Sequence, residues 1–171
     1  MSRILVACVG NIFLGDDGFG AAVAQALARR RLPAGVSVVD YGIRGVDLTY
    51  ALLEDYAYVV LVDAVRRGGR PGSVYLIEPE RLAGDPAPED LLMSPHDLDP
   101  AKVLRLAAAM GSGCRRVFLI GCEPLRFGGE EEGFAGEGLL ELSPPVAAAV
   151  DIGVAMVEDV IGKLLEAERV P

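Results

Sequence analysis

Short apolar runs alternate with amphipathic helical patterns along this chain, and that alternation restricts the fold more than any other feature. The first run, Ile4 to Gly10, is followed by a helical pattern from about Gly18. The third run, Tyr58 to Ala64, is apolar enough to be a central strand with both of its faces covered. Strands that alternate with helices are typical of a mostly parallel sheet between two helical layers. The sequence therefore predicts an α/β fold.

One strand should run against the others. The fourth run, Ser73 to Pro79, follows the third after only the segment VRRGGRPG. That connection is too short for a crossover helix, so the fourth strand should be antiparallel to the third. With a fifth run, RRVFLIGCEP, we expect a three-layer sandwich: a five-stranded, mostly parallel sheet with one antiparallel strand and helices on both faces. The 171 residues suit a single α/β domain, residues 1–171, and are too few for two.

Two helices begin with recognisable signals. Asp99 is a candidate N-cap that is followed by Pro100 at the first helical position, and Ser143 is a candidate N-cap for the long final helix. A second helix is expected over the segment VDLTYALLEDY, from its apolar spacing.

The loop after the first strand, GNIFLGDDGFG, has almost the spacing of a phosphate-binding loop. Asp16 and Asp17 stand where that motif has Lys and Ser or Thr. Two unit charges 4 Å apart interact by about 4 kcal/mol at an effective dielectric near 20, and between carboxylate and phosphate that energy is repulsive. The glycines also miss the G-x-G-x-x-G spacing of a dinucleotide site. Both features disfavour phosphate binding.

The two aspartates need not have the same role. A carboxylate at a helix N-terminus complements the helix dipole and can accept a hydrogen bond from a free N–H group. One cap needs only one of the two residues. We therefore expect one aspartate to cap the helix and the other to face the crevice at the carboxyl ends of the strands, where ligands bind in open α/β sheets. The residues alone leave open which is which.

Two more polar residues should lie at that edge. Asp63 ends the third strand, and His96, the single histidine, lies in the loop before the helix AKVLRLAAAMG. Each has a simpler explanation, because an Asp at a strand end often initiates a turn and a lone His is more often a surface or core group. Two carboxylates and an imidazole nevertheless suit a divalent transition metal with open coordination positions.

Composition excludes several classes of function. The net charge of −9 disfavours nucleic acid as a partner, since phosphate backbones are bound by Lys and Arg. Cys8, Cys114 and Cys122 are odd in number and lack CxxC spacing, which indicates buried thiols in a reducing compartment. The first apolar run is too short for a signal peptide or a membrane span, so we expect a cytoplasmic protein without membrane insertion. Nothing in the sequence suggests an obligate assembly, and we expect a monomer.

Three segments together resemble a known family. GNIFLGDDGFG, VVLVDAV and SPHDLDP are similar, in that order, to motifs of the hydrogenase maturation endopeptidases of nickel–iron hydrogenases, and GCEP…GLLELSPPVAAAV is similar to a later stretch of that family. The resemblance implies a metal-dependent endopeptidase that removes the C-terminal extension of a hydrogenase large-subunit precursor after nickel insertion. It also implies that nickel, the cofactor, arrives within that precursor.

The resemblance assigns roles to particular residues. It implies that Asp17, Asp63 and His96 contact the metal and carry the catalysis, with Asp16 as a loop or capping residue. The family also has a glycine-containing loop that accommodates substrate, which here is DYGIRG, with Gly42 and Gly45 at its small positions. Tyr41 stands where a second glycine is common in the family.

Two alternatives remain at this point. The first is a non-catalytic metal-sensing or metal-escort protein on the same fold. The second is a nucleotide-using enzyme, which the aspartate pair disfavours.

Overall fold

The computed structural model describes residues 2–78, 100–111, 114–127 and 141–169. These residues form β-strands, α-helices and a 3₁₀ turn, Asp16–Gly18, that precedes the first helix. In chain order the strands and helices are β1 (Arg3–Val9), α1 (Phe19–Leu27), β2 (Val36–Gly42), α2 (Gly45–Leu52), β3 (Tyr56–Ala64), β4 (Val74–Ile77), α3 (Pro100–Ala109), β5 (Arg116–Cys122) and α4 (Pro144–Ala167).

The strands form the predicted sheet. Its order is β2-β1-β3-β5-β4, with β1 parallel to β2 and β3, and β3 parallel to β5. The antiparallel strand β4 pairs with β5, so it lies at the edge and is separated from β3 by one strand. The short connection after β3 predicted the orientation of β4. It did not predict that β4 would pair with β5.

Helices cover both faces, which confirms the three-layer arrangement. Alternate residues of β1 (Ile4, Val6 and Cys8) belong to a core shared with α1 and α4. The intervening residues of β1 belong to a second core shared with α2 and α3. Because both faces of the strand are covered, it is a continuous apolar run without a polar alternation.

Glycine fixes the position of α1 on the sheet. A Cβ at Gly20 would overlap the carbonyl oxygen of Val9 and would lie 2.8 Å from that of Val62. Only a residue without a side chain allows such an approach of helix to strand. The first turn of α1, and the 3₁₀ turn before it, therefore lie directly on the carboxyl ends of β1 and β3.

One predicted helix is too long. We expected α2 to continue through Tyr56, but α2 ends at Leu52 and Tyr56 begins β3. Tyr56 pairs with Arg3 of β1, whose guanidinium lies 4.3 Å from the centroid of the Tyr56 ring. The contact with β1 therefore places Tyr56 in the sheet, whereas the local apolar spacing had favoured a helix. In contrast, α3 begins at Pro100 as predicted, and its candidate cap Asp99 lies outside the described residues.

All three cysteines are free thiols, two of them fully buried. Burial, reinforced by the charge of Asp40, raises the pKa of the Cys8 thiol to about 12. Burial, with the charges of Asp16 and Glu123, likewise raises the pKa of Cys122 to about 12. These thiols stay protonated and unreactive at neutral pH. Among the helices of the described ranges, none has the length and apolar character needed to cross a membrane.

Candidate active site at the carboxyl edge of the sheet

Asp63 is a nearly buried carboxylate at the end of a central strand. It is the penultimate residue of β3, and its side chain is on the same face as that of Leu61, which belongs to the core under α2 and α3. The residue is 9 % exposed. Its Oδ1 accepts a hydrogen bond of 2.8 Å from the N–H of Ala64. Asp63 is thus held at the carboxyl edge, as the sequence predicted.

Asp17 lies in the 3₁₀ turn and is half-buried at the same edge. This turn packs against β3, the strand that carries Asp63. Oδ2 of Asp17 accepts a hydrogen bond of 2.7 Å from the N–H of Asn11. Burial raises the pKa of the Asp17 carboxyl above its usual value, and the hydrogen bond from Asn11 offsets only part of that rise. The fold therefore holds a carboxylate here whose charge it only partly stabilises.

Asp16, its neighbour in the chain, has a different environment. Its side chain is fully buried, with 0 % exposure. Its carboxylate accepts hydrogen bonds from the N–H groups of Leu125 (2.8 Å), Arg126 (2.9 Å) and Ser143 (2.7 Å), and from the hydroxyl of Ser143 (2.8 Å). Asp16 thus joins the loop after β1 to the segment after β5 and to the start of α4.

The expectation that one of the two aspartates caps the following helix is wrong. Neither the 3₁₀ turn nor α1 has a side-chain cap. The reason is that the turn itself supplies carbonyl acceptors: the N–H of Asp17 bonds to Leu14, that of Gly18 to Gly15, and that of Phe19 to Asp16. With these donors satisfied by the backbone, neither carboxylate is needed there.

Ser143 stands at the N-cap position of α4, as predicted, but it does not act as a side-chain cap. Its hydroxyl donates to Oδ2 of Asp16, and its own N–H donates to Oδ1 of the same carboxylate. Pro144 follows at the first position of the helix, where a missing N–H has no cost. Asp16 therefore anchors the N-terminus of α4 through the residue that was expected to cap it.

A groove of about 350 Å³ lies between the ends of β1 and β2. Asn11, whose N–H bonds to Asp17, belongs to its lining, whereas Asp16, Asp17 and Asp63 do not. Gly42 has a left-handed φ of 56°. Its N–H donates a hydrogen bond to Oδ1 of Asp40, and its carbonyl accepts one from the N–H of Gly10. Gly45 is buried as the first residue of α2 and lies outside the lining. The lining consists of Gly10, Asn11, Ile12, Phe13, Asp40, Tyr41, Gly42, Ile43 and Arg44.

The groove combines an apolar wall with a fixed cation. Ile12 and Phe13 are 49 % and 59 % exposed, which is high for large apolar side chains. The guanidinium of Arg44 donates to the carbonyls of Asp40 (2.6 Å) and Tyr41 (3.1 Å). Tyr41 itself is buried with the core under α2, so the larger side chain at this glycine-rich position does not fill the groove. Such a surface suits an extended peptide.

A larger cavity, of about 530 Å³, lies at the opposite edge of the sheet. Ser2, Arg115 and Glu168 are among its lining residues, and none of the predicted site residues is. The smaller groove is the stronger candidate because it adjoins the loop that carries Asp17.

Sequence reasoning missed one buried carboxylate at this edge. Glu123 directly follows β5 and accepts hydrogen bonds from the N–H groups of Arg67 (2.9 Å) and Gly68 (3.1 Å) and from the hydroxyl of Tyr75 (3.1 Å). Burial alone would raise the pKa of the Glu123 carboxyl, but these bonds, with one from the N–H of Gly69, lower it below its usual value. The signal was present, since an acid that ends an apolar strand was the argument for Asp63.

The third member of the predicted metal set cannot be placed beside the other two. His96 lies outside the described residues. Within the ranges that the structure describes, three or more His, Cys, Asp or Glu side chains nowhere gather in a metal-binding arrangement. The structure thus brings Asp17 and Asp63 to one edge, and the position of the imidazole stays a prediction.

Comparisons with known proteins agree on the family. The model of a family described as hydrogenase maturation protease matches residues 21–160. The hydrogenase expression/formation protein HupD of Rhodobacter capsulatus is 31% identical over 154 residues, which are 90% of this chain and 68% of that protein. The hydrogenase 2 maturation protease of Escherichia coli is 34% identical over 127 residues, covering 71% of this chain and 73% of that one.

A solved structure shows the same fold. The hydrogenase 2 maturation peptidase from a Thaumarchaeota archaeon aligns with a TM-score of 0.68 at 34% identity, over 94% of this chain and 99% of that chain. These matches confirm the resemblance found in the three sequence motifs and support a peptidase, not a metal escort or a nucleotide-using enzyme. The chain belongs to the hydrogenase maturation protease family.

Proposed function

We propose that this protease removes the C-terminal extension of a nickel–iron hydrogenase large-subunit precursor after nickel has been inserted. Asp17, Asp63 and His96 are the proposed contacts to the nickel that the precursor carries. The observation that supports this most directly is that Asp17 and Asp63 lie at the same edge of the sheet, Asp63 near the end of β3 and Asp17 in the turn that packs against β3.

The environment of Asp17 supports its role as a metal contact. In the part of the chain that the structure describes, its Oδ2 has one hydrogen bond and its Oδ1 has none. A cation placed at this carboxylate would favour the ionised form and so counteract the effect of burial. Asp16 offers no such opportunity, because both of its oxygens already accept hydrogen bonds. Of the two adjacent carboxylates, only Asp17 is prepared for a cation from outside.

The metal and the groove would have separate roles in the reaction. Divalent nickel, bound through two carboxylates and an imidazole, can polarise the scissile carbonyl or activate a water molecule. The groove beside Asp17 would hold the extension in an extended conformation against Ile12 and Phe13. Because the metal enters with the substrate, the enzyme needs only part of a ligand set.

We expect purified protein to shorten a nickel-loaded large-subunit precursor and to leave the same precursor intact when nickel is absent. The reason is that the proposed ligand set is completed only by a nickel site within the precursor. Mass spectrometry of the precursor before and after incubation measures the length of the removed extension.

Two outcomes would contradict the proposal. Equal cleavage with and without nickel would exclude the requirement for the metal. Failure to shorten any nickel-loaded precursor, among several candidate large subunits, would exclude the proposed reaction.

A further inference from the structure

A loop rich in arginine lies next to the candidate site and has no role in the proposal above. We call residues 65–72, which lie between β3 and β4, the arginine loop. Arg66, Arg67 and Arg70 are exposed, and the loop contains no acidic residue. In a chain with a net charge of −9, this is a local concentration of positive charge.

The arginine loop is close to Asp63. Arg66 follows Asp63 by three residues in the chain. Since consecutive Cα atoms are 3.8 Å apart, the Cα atoms of these two residues are separated by about 11 Å at most. A polypeptide that reaches Asp63 therefore passes within the range of a side-chain contact with the loop.

Hydrogen bonds fix the arginine loop to the end of β5. The N–H of Val65 donates to the carbonyl of Cys122 (2.9 Å), and that of Gly72 donates to the carbonyl of Glu123 (2.8 Å). Between these two points the carboxylate of Glu123 accepts the N–H groups of Arg67 and Gly68. The loop is thus held at both ends and at its centre, so its arginines are displayed from a defined backbone.

The charge of Glu123 is directed at the backbone of the loop and not at its guanidinium groups. The guanidinium of Arg67 instead lies over the ring of Tyr75, 5.5 Å from its centroid, and that of Arg66 lies 4.7 Å from the centroid of Phe127. Over the described ranges, neither Arg67 nor Arg70 takes part in an ion pair. Stacking of Arg67 uses the face of its guanidinium and leaves the N–H groups at its edge for a carboxylate.

We propose that the arginine loop binds an acidic segment of the precursor protein, and that Glu123 is the positioning residue that holds the loop for this contact. The identity of the partner rests on the proposed function. An acidic partner is repelled by most of this negatively charged protein. The positive arginine loop attracts it instead, and so favours an orientation of the partner that brings its chain to Asp63. Charged surfaces act in this way on orientation and on the rate of encounter.

The test replaces Arg66, Arg67 and Arg70 together by Gln and measures processing of the nickel-loaded precursor at low ionic strength. We expect KM to rise about 10-fold while kcat stays within about twofold, because the loop contributes to association and not to chemistry. The difference should shrink in high salt, which screens exposed charges. Replacement of the same three residues by Lys keeps the charge and should keep KM close to the wild-type value.

Arg29, Arg30 and Arg31 provide a matched control. They are also exposed and follow α1, which leads away from the carboxyl edge. Their replacement by Gln removes the same charge from the protein and should leave KM unchanged. An equal rise of KM in both triple variants would overturn the proposal, because the effect would then come from net charge alone.

Glu123→Gln tests the positioning role. We expect this variant to raise KM without lowering kcat, and to raise it no further when it is combined with the triple Gln variant. Residues that act through one another are non-additive in this way, whereas independent structural effects add. Full additivity, or a loss of kcat at unchanged KM, would contradict the positioning role.

A binding measurement separates this inference from the proposed function. Precursor is titrated against the Asp17→Asn protein, with and without the three Gln replacements, in low and high salt. Salt-sensitive binding that the replacements weaken supports the arginine loop even if processing is never observed. Unchanged binding and unchanged KM overturn it while leaving the proposed reaction intact. Should the triple variant fail to fold, competition by a hexaglutamate peptide against wild-type processing, absent in high salt, takes its place.

Discussion

Asp17→Asn is expected to lower processing of the nickel-loaded precursor at least about 100-fold, the loss typical when one preorganised electrostatic group is removed from an active site. The amide keeps the size of the side chain but removes the negative charge that would meet the cation. The measurement is the rate at which the precursor shortens under single-turnover conditions. Asp63→Asn and His96→Ala should each give a loss of the same order.

The same Asp17 variant should be at least as stable as the wild type at neutral pH. Burial raises the pKa of the Asp17 carboxyl, so the folded protein binds this proton more tightly than the unfolded chain does. The ionised carboxylate therefore destabilises the fold above the raised pKa, and this cost disappears as the pH falls through it. Asn carries no charge and avoids the cost. Urea unfolding at neutral pH and in mild acid should show an advantage for the variant that fades with acidification.

Asp151→Asn is a suitable control, since Asp151 is an exposed carboxylate on α4. It should process the precursor at the wild-type rate with unchanged stability. If Asp17→Asn or Asp63→Asn processed the precursor as fast as this control, the affected residue would have no place in the metal set.

The arrangement of strands and helices followed from local sequence. Continuous apolar runs such as that of β1 occur where both faces of a strand are buried, and the short connection after β3 required an antiparallel β4. The boundary between α2 and β3 was missed because Tyr56 is placed by its pairing with Arg3, which lies 53 residues earlier in the chain. Such a contact has no signature in the local spacing.

The separate roles of Asp16 and Asp17 were beyond prediction from the residues alone. Spacing placed both at the start of α1 and offered the dipole of that helix as the partner for one of them. The actual donors to Asp16 lie 109 to 127 residues away in the chain, in the segment after β5 and at Ser143. Only the folded arrangement brings them together, and it reverses the expected role of Ser143 from acceptor to donor.

Asp16→Ala should in consequence be the most destabilising substitution at this edge. It leaves three N–H groups and the hydroxyl of Ser143 without their acceptor. A buried donor left unsatisfied costs about 1–3 kcal/mol. Because water can hydrate some of these donors in the variant, we expect a total loss of about 3–5 kcal/mol in the free energy of unfolding, which is less than the full sum. For a domain of this size, that corresponds to a fall in Tm of about 6–20 °C.

Ser143→Ala and Asp17→Asn make this prediction specific. Ser143→Ala removes a single hydroxyl donor and leaves the three N–H bonds in place, so it should cost only about 1 kcal/mol. Asp17→Asn, one residue along the chain, should cost nothing at neutral pH for the reason given above. Equal losses from Asp16→Ala and Ser143→Ala would mean that the backbone donors find water when the carboxylate is absent. In that case Asp16 would not be the anchor that holds α4 and the segment after β5 against the loop that carries Asp17.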